Sequence, residues 1–253
     1  MKNIVFIPAI DAGRSRHQAY HYSIKSWKSW ADKNNCEVLV WDTPLYSWQD
    51  MTIPWQRYYL FRLLKENDIE YNQVLMVDSD TIVHPNCPNF FNLTDNKYCA
   101  VVDFGCWEWT ARSISEYKSL FDNFNLDRGL YFNGGFQIVN KTHESFFETV
   151  LAFYEKNKYT LIETQKKGLG TDQTPVNYLA QIHNIDLKIL PPTFNLHHLV
   201  TKNLLNFGQS WWGDELDNLY NQAWVYHFNS IPRNNLNRTS EYFLERAYKE
   251  LYT

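Results

Sequence analysis

Val74-Leu75-Met76-Val77-Asp78-Ser79-Asp80-Thr81-Ile82-Val83 is the run on which the class of this protein hangs. Its opening is continuously apolar, the pattern of a strand buried on both faces. The apolar run stops abruptly at Asp78. Two carboxylates at i and i+2 on an extended chain point to the same side. At a strand end, Asp78 and Asp80 can therefore share one hard divalent cation through oxygen ligands. Mg2+ or Mn2+ held this way can neutralise a diphosphate. The same pair could instead cap a tight turn. The bare Asp-x-Asp pattern is common, and its position directly after a strand is what gives it weight.

Outward from this run, strand-like and helix-like segments alternate. Residues 3–7 and 37–41 are apolar strands, and residues 16–33 and 55–65 carry apolar side chains at helical spacing, the second just after Pro54. Further strands are expected at 98–103, at 131–139 (interrupted by Gly134-Gly135) and at 187–190, with helices at 113–124, 144–156 and 171–181. Such alternation predicts an α/β fold with a mainly parallel central sheet flanked by helices. Ligands of such sheets bind beyond the carboxyl ends of the strands, and Val77-Asp78 is one such end. No linker-like or repetitive tract divides the chain, so residues 1–253 read as one domain. From residue 193 onward the chain is rich in Asn, His and Trp, and it is expected to form a loop-rich segment over the site.

Composition removes several classes. The chain has 28 acidic and 24 basic residues and a formal net charge of −4, without the basic excess that phosphate-backbone binding requires, so no nucleic-acid partner is expected. No apolar run of about 18 residues marks a transmembrane helix. The first residues, MKNIVFIPAI, read as a buried strand, being too short an apolar stretch for a signal peptide. Cys36, Cys87, Cys99 and Cys106 show no Cys-x-x-Cys spacing and are expected as reduced thiols, which suggests a cytoplasmic setting. Aromatic residues are abundant at 17%, and they could serve a core, a sugar-stacking platform or an interface.

Three further motifs could carry chemistry. Paired glycines inside Tyr131-Phe132-Asn133-Gly134-Gly135-Phe136 mark either a β-bulge or the close approach of a ligand or another backbone, and Asn133 offers both a donor and an acceptor. Asp172-Gln173 opens a helix, where Thr171 or Asp172 could be a plain cap, or Asp172 could grip sugar hydroxyls together with Gln173. His227 lies in a late strand-like run, where a lone histidine is usually structural. His17 and His21 stand at i and i+4 without the context of a metal motif, and His197-His198 would diverge on a strand.

Taken in order, these motifs resemble the GT-A-fold glycosyltransferases, most of all glycosyltransferase family 8 and its viral and bacterial relatives. The likeness runs from about residue 55 to 230. Arg57 stands upstream of the acidic motif, and Asp78-Ser79-Asp80 looks like the family's Asp-x-Asp. Phe132-Asn133-Gly134-Gly135 is similar to its Phe-Asn-(Ala/Ser)-Gly segment, and Asp172-Gln173 to its helix start. Leu190-Pro191-Pro192 with Asn195 resembles Leu-Pro-x-x-x-Asn, and His227 resembles the C-terminal histidine that completes the metal site. The resemblance implies Mn2+ or Mg2+ held by Asp78, Asp80 and His227. It also implies a nucleotide-diphosphate sugar donor contacted by Arg57, Asp78, Asn133, Gly134, Gly135, Asp172 and Gln173. Asn133, Asp172 and Gln173 would lie at the reacting sugar as the catalytic set. Residues 8–16 would cover the nucleotide, and a glycan or other hydroxyl compound would be the acceptor, with retention of configuration in family 8. An inverting relative would need a carboxylate base, for which Asp103, Glu108 and Asp172 are the candidates. The family's Gly-x-x-Lys-Pro-Trp after the histidine is here Asn229-Ser230-Ile231-Pro232-Arg233, and Arg233 stands where the diphosphate-binding lysine would. Trp107, Trp109, Trp211 and Trp212 are expected to border the acceptor.

Two other readings remain at this level. A haloacid-dehalogenase-type phosphatase also carries Asp-x-Asp-x-Thr, with Asp78 as nucleophile and Asp80 as acid/base. That motif usually sits on the first strand of its core, and the usual downstream acidic pair is missing here. A non-catalytic sugar-binding protein on the same fold would use the same aromatic residues.

Overall fold

The computed structural model describes residues 1–11, 13, 15–197, 222–229, 231 and 239–253. The strands are β1 (Lys2–Pro8), β2 (Cys36–Trp41), β3 (Tyr71–Val77), β4 (Thr81–Val83), β5 (Tyr98–Val102), β6 (Phe132–Asn140), β7 (Leu187–Ile189) and β8 (Val225–His227). The α-helices are α1 (Tyr20–Lys33), α2 (Ile53–Gln56), α3 (Leu60–Glu66), α4 (Trp107–Tyr117), α5 (Glu144–Lys166), α6 (Gln173–Ile182) and α7 (Ser240–Tyr252). A six-stranded sheet runs in the order β2-β1-β3-β6-β5-β7. Its strands are parallel except β6, which runs antiparallel to both of its neighbours. The expected mainly parallel α/β sheet is therefore present, with one reversed strand beside the acidic motif. No described helix is long and apolar enough to cross a membrane.

Strand periodicity sorts the core into two layers. Ile4, Phe6, Val74 and Met76 face one cluster with Tyr58, Leu60 and side chains of α5 and α6. Val5, Ile7, Leu75 and Val77 face the other, with Trp27, Trp30 and Phe90. A third cluster joins Ile82, Tyr226 and Phe228 to Phe243 and Leu244 of α7. Much of the aromatic surplus is core: Trp27, Trp30 and Trp55 are wholly buried. Cys36, Cys87 and Cys99 are buried free thiols, and Cys106 is an exposed one.

Several elements differ from their sequence pattern. The helix expected at 55–65 is broken into α2, a 3-10 turn at Arg57–Tyr59, and α3. β6 runs through Gly134-Gly135 as one buried strand, but its pairing with β5 shifts register across them. The helix expected to begin at 113 begins at Trp107, and α5 extends ten residues past the expected 156, to Lys166. Helix α7 follows a Thr239 hydroxyl that accepts the Tyr242 backbone N–H.

β4 leaves the main sheet directly after the acidic motif and pairs antiparallel with β8, with Thr81 opposite His227. Trp27 Nε1 donates to Thr81 Oγ1 at 2.9 Å, and that hydroxyl donates to the Asp78 carbonyl at 2.7 Å. The turn is thus tied to α1 on one side and to the late chain on the other.

The Trp30 ring stacks on Phe90 at 4.5 Å between centroids and 3° between planes, and its Nε1 donates to the Cys87 carbonyl. Trp30→Ala removes the stack and leaves a cavity. It is expected to lower the unfolding free energy by about 3–5 kcal/mol, measured by urea denaturation.

Candidate active site

The Arg57 guanidinium is the centre of the site. It is almost fully buried on the 3-10 turn, below the carboxyl end of β3. Nη1 donates to Asp78 Oδ1 at 2.7 Å and to the Gly134 carbonyl at 2.9 Å. Nη2 lies 2.8 Å from Asp172 Oδ2, and Nε donates to that oxygen at 3.1 Å and to the Pro54 carbonyl at 3.0 Å. Burial alone would lower the pKa of this group, but Asp172 and Asp78 outweigh it, so the guanidinium stays charged.

Asp172 does not cap α6 with its side chain. Its Oδ2 also accepts the Tyr58 hydroxyl at 3.1 Å, and its Oδ1 accepts Thr171 Oγ1 at 2.9 Å. Burial, then the Asp172 charge, pushes the Tyr58 phenol well above its ordinary range, so it stays a donor. Of the two readings left open by the sequence, the plain cap therefore does not hold.

Gln173 joins β6 to β5. Its Oε1 accepts the Gly134 backbone N–H at 3.0 Å, and its Nε2 donates to Asp103 Oδ2 at 2.7 Å. Asn133 Nδ2 donates to the same Asp103 oxygen at 3.3 Å. Asp103 Oδ1 accepts the Gly105 N–H at 2.7 Å and faces His197 Nε2 at 2.9 Å. Burial pulls the Asp103 carboxyl upward, but His197, Gly105 and Gln173 outweigh it and hold it well below the usual carboxylate range. His197 was a weak candidate in the sequence. It reaches the network because residues 195–197 run beside β8: Leu196 pairs with Tyr226.

Asp78, Asp80 and His227 come together at the mouth. Each offers one ligand atom, and the three atoms lie within 4.8 Å of one another. His227 Nε2 stands 3.1 Å from Asp80 Oδ1 and 3.6 Å from Asp78 Oδ2. The β4–β8 register places the ring there. Gly135 leaves it room: a Cβ at that position would lie 2.3 Å from His227 Cε1 and 2.7 Å from Asp78 Oδ2. Both readings of the glycine pair are present: the β5–β6 register slips across residues 133–136, between the pairs Ala100–Gln137 and Val102–Phe132, and the groups that approach Gly135 are side chains of the chain itself. Two carboxylate oxygens and an imidazole nitrogen form a donor set that could hold one divalent cation.

A cleft of about 230 Å³ opens over this cluster, lined by Pro8, Ile10, His17, Tyr20, Ile53, Pro54, Arg57, Asp78, Ser79 and Asp80. Pro8 and Ile10, from the segment expected to cover the nucleotide, are among its lining residues. His17 faces the cleft, and among the described residues His17 and His21 are not part of a metal-capable cluster.

Solved structures of glycosyltransferases have the same chain path. A glycosyltransferase involved in glycosylation of the major capsid of PBCV-1 superposes with a TM-score of 0.62 at 12% identity, over 97% of this chain and 100% of that one. The glycosyltransferase GlyE of Streptococcus pneumoniae TIGR4 has a TM-score of 0.52 at 16% identity, over 100% of this chain and 61% of that one. Mouse xyloside xylosyltransferase 1 has a TM-score of 0.52 at 10% identity, over 92% of this chain and 99% of that one. The fold is GT-A. No protein-family model matches the chain, and no curated protein matches it.

Within this GT-A fold, Arg57, Asp78, Asp80, Asn133, Gly134, Gly135, Asp172, Gln173 and His227 converge on one place, and Asp103, Asn195 and His197 join them. Those three were legible only weakly, because each is brought in by pairing between distant segments. Arg233, Trp211 and Trp212 lie outside the described residues. Trp107 is exposed with the Arg128 guanidinium 4.5 Å over its ring, and Trp109 Nε1 donates to the Gly168 carbonyl.

Asp103→Asn should lower the unfolding free energy by about 3 kcal/mol at neutral pH, because His197 and Gln173 lose a buried anionic partner. The native carboxyl titrates below its unfolded value of 3.8, so its stabilisation is complete above about pH 4 and is lost on acidification below it. Chemical denaturation across pH should show the gap between wild type and variant closing on that acid side. Gly135→Ala should displace His227 and cost about 1–3 kcal/mol by overpacking, read as a drop in thermal midpoint.

Proposed function

We propose that this chain is a metal-dependent glycosyltransferase that moves a sugar from a nucleotide-diphosphate sugar to an acceptor hydroxyl. The observation that carries the proposal is the cluster of Asp78, Asp80 and His227 at the carboxyl end of β3, set in a cleft on the GT-A fold. These residues would hold Mn2+ or Mg2+, which supplies positive charge to the departing diphosphate. The nucleotide would lie against Pro8, Ile10, His17 and Tyr20 in the cleft.

The reaction breaks the bond from the anomeric carbon to the diphosphate oxygen. The diphosphate keeps the electron pair, the acceptor oxygen bonds to the anomeric carbon, and its proton leaves to the departing phosphate or to water. Arg57 adds a fixed positive charge next to Asp78 and holds it in one orientation. Asn133, Asp172 and Gln173 stand as the polar wall on which the donor sugar would rest. Within that wall, Asp172 orients Arg57, since its Oδ2 already takes Arg57 and Tyr58. Gln173 and Asn133 present amides that donate to Asp103 and accept backbone N–H groups of Gly134 and Gly135.

Retention of configuration is the favoured outcome. An inverting reaction needs a carboxylate base. Of the three carboxylates considered for it, Asp103 is saturated with donors and held ionised, Asp172 is engaged by Arg57, Tyr58 and Thr171, and Glu108 is exposed on the first turn of α4, outside these contacts. The phosphatase reading gains no support, since among the described residues no second acidic pair joins the metal-capable cluster.

The test is a panel of nucleotide sugars with Mn2+, followed by nucleotide release. Wild type should release nucleotide from at least one donor and respond to it by thermal shift. Asp78→Asn and Asp80→Asn should each lose donor hydrolysis and transfer by about 100-fold or more while keeping the wild-type circular dichroism. Full activity in either variant overturns the metal assignment, and no response to any donor overturns the transferase.

A further inference from the structure

We propose that Asn195 is a positioning residue that holds the proton of His227 on Nδ1, and so presents Nε2 to a cation between Asp78 and Asp80. The inference rests on the cation reading of that cluster. It adds a determinant of the site that lies outside the ligands and outside the donor wall.

The starting point is a backbone group that cannot rotate. The Gly135 N–H donates to Asn133 Oδ1 at 3.0 Å, which fixes that atom as the amide oxygen. Turned the other way, Asn133 would set its NH2 against a backbone N–H, and its oxygen would face Asp103 Oδ2 and Gln173 Oε1, each 3.3 Å from its nitrogen. With Asn133 Oδ1 set, the Asn195 atom 3.0 Å from it must be the donor Nδ2. The other Asn195 atom is then Oδ1, and it lies 3.0 Å from His227 Nδ1. An amide oxygen only accepts, so His227 Nδ1 carries a hydrogen. The hydrogen bond made by one ring nitrogen sets the role of the other. In the neutral ring Nε2 therefore keeps its lone pair, aimed at the gap beside Asp80 and Asp78.

Asn195 is held firmly enough to do this. Its side chain is buried, and its N–H donates to the Pro192 carbonyl. The next residue is strapped to β8 through Leu196 N–H to the Val225 carbonyl and His227 N–H to the Leu196 carbonyl. One short segment thus positions the backbone of His227 and the proton on its ring. The relay starts in β6, at the glycine that leaves room for the same imidazole.

The experiment reads the proton directly. Protein labelled with 15N at histidine is studied by long-range proton–nitrogen correlation, metal-free and with Mg2+, with the His227 signals assigned by their loss in His227→Gln. Nδ1 is expected to be protonated in both states, and a bare Nδ1 in either overturns the proposal. Mn2+ affinity is then measured by electron paramagnetic resonance of the free ion. Asn195→Leu, checked by circular dichroism, should bind Mn2+ about 10–100-fold more weakly than wild type, and unchanged affinity in the folded variant overturns the proposal. If that variant does not fold, the wild-type nitrogen spectrum decides alone. Wild type that binds no Mn2+ overturns the cation reading and this proposal with it, a result distinct from a variant that binds as well as wild type.

Discussion

A buried guanidinium is tolerated only where anions and carbonyls surround it, because stripping its water costs several kcal/mol. Arg57 meets that demand with groups from four separate parts of the chain: Asp78 after β3, Gly134 in β6, Asp172 before α6 and Pro54 in α2. Each must come to the same point or the charge is left uncompensated. The end of the central strand, the reversed strand beside it and the start of α6 are registered against one another by this one cation. The break in the 53–66 helix puts Arg57 on the 3-10 turn, and its Nε bonds the carbonyl three residues back.

A second constraint acts from the other side of the acidic motif. The chain leaves β3, turns through Ser79, and must pair with β8 to satisfy β4. That pairing carries His227 across to the two carboxylates, and the space it needs is the missing side chain of Gly135. Arg57 and His227 therefore bracket Asp78 from opposite sides, Arg57 at Oδ1 and His227 near Oδ2. A carboxylate held between a fixed cation and a buried imidazole has little freedom left to reorient.

Legibility in the sequence followed the range of the forces involved. The apolar run 74–77 and the alternation of elements reflect burial, which is local in pattern, and the sheet followed from them. The boundaries of α4 and α5 were less clear, since tertiary packing continues helices past the point where their own periodicity fades. The tryptophans near proposed site elements looked equally suited to core and site, because an aromatic ring packs well in either. Trp55 proved to be core and Trp107 exposed, and composition has no means to separate them. His197 read as one of a divergent pair, and its partner Asp103 lies 94 positions away, a separation that no local pattern encodes.

By itself the sequence determined the α/β class, the carboxylates at the end of a buried strand and the order of the polar motifs, because these depend on spacing along one chain. Tertiary structure alone decided which of those side chains touch and which atom each presents. Asp172 turned out to anchor an arginine instead of capping its helix, and one glycine of a strand pair, Gly135, turned out to be space for an imidazole. The orientations of Asn133, Asn195 and His227 follow from a single backbone N–H, and such directions exist only once distant segments have been packed together.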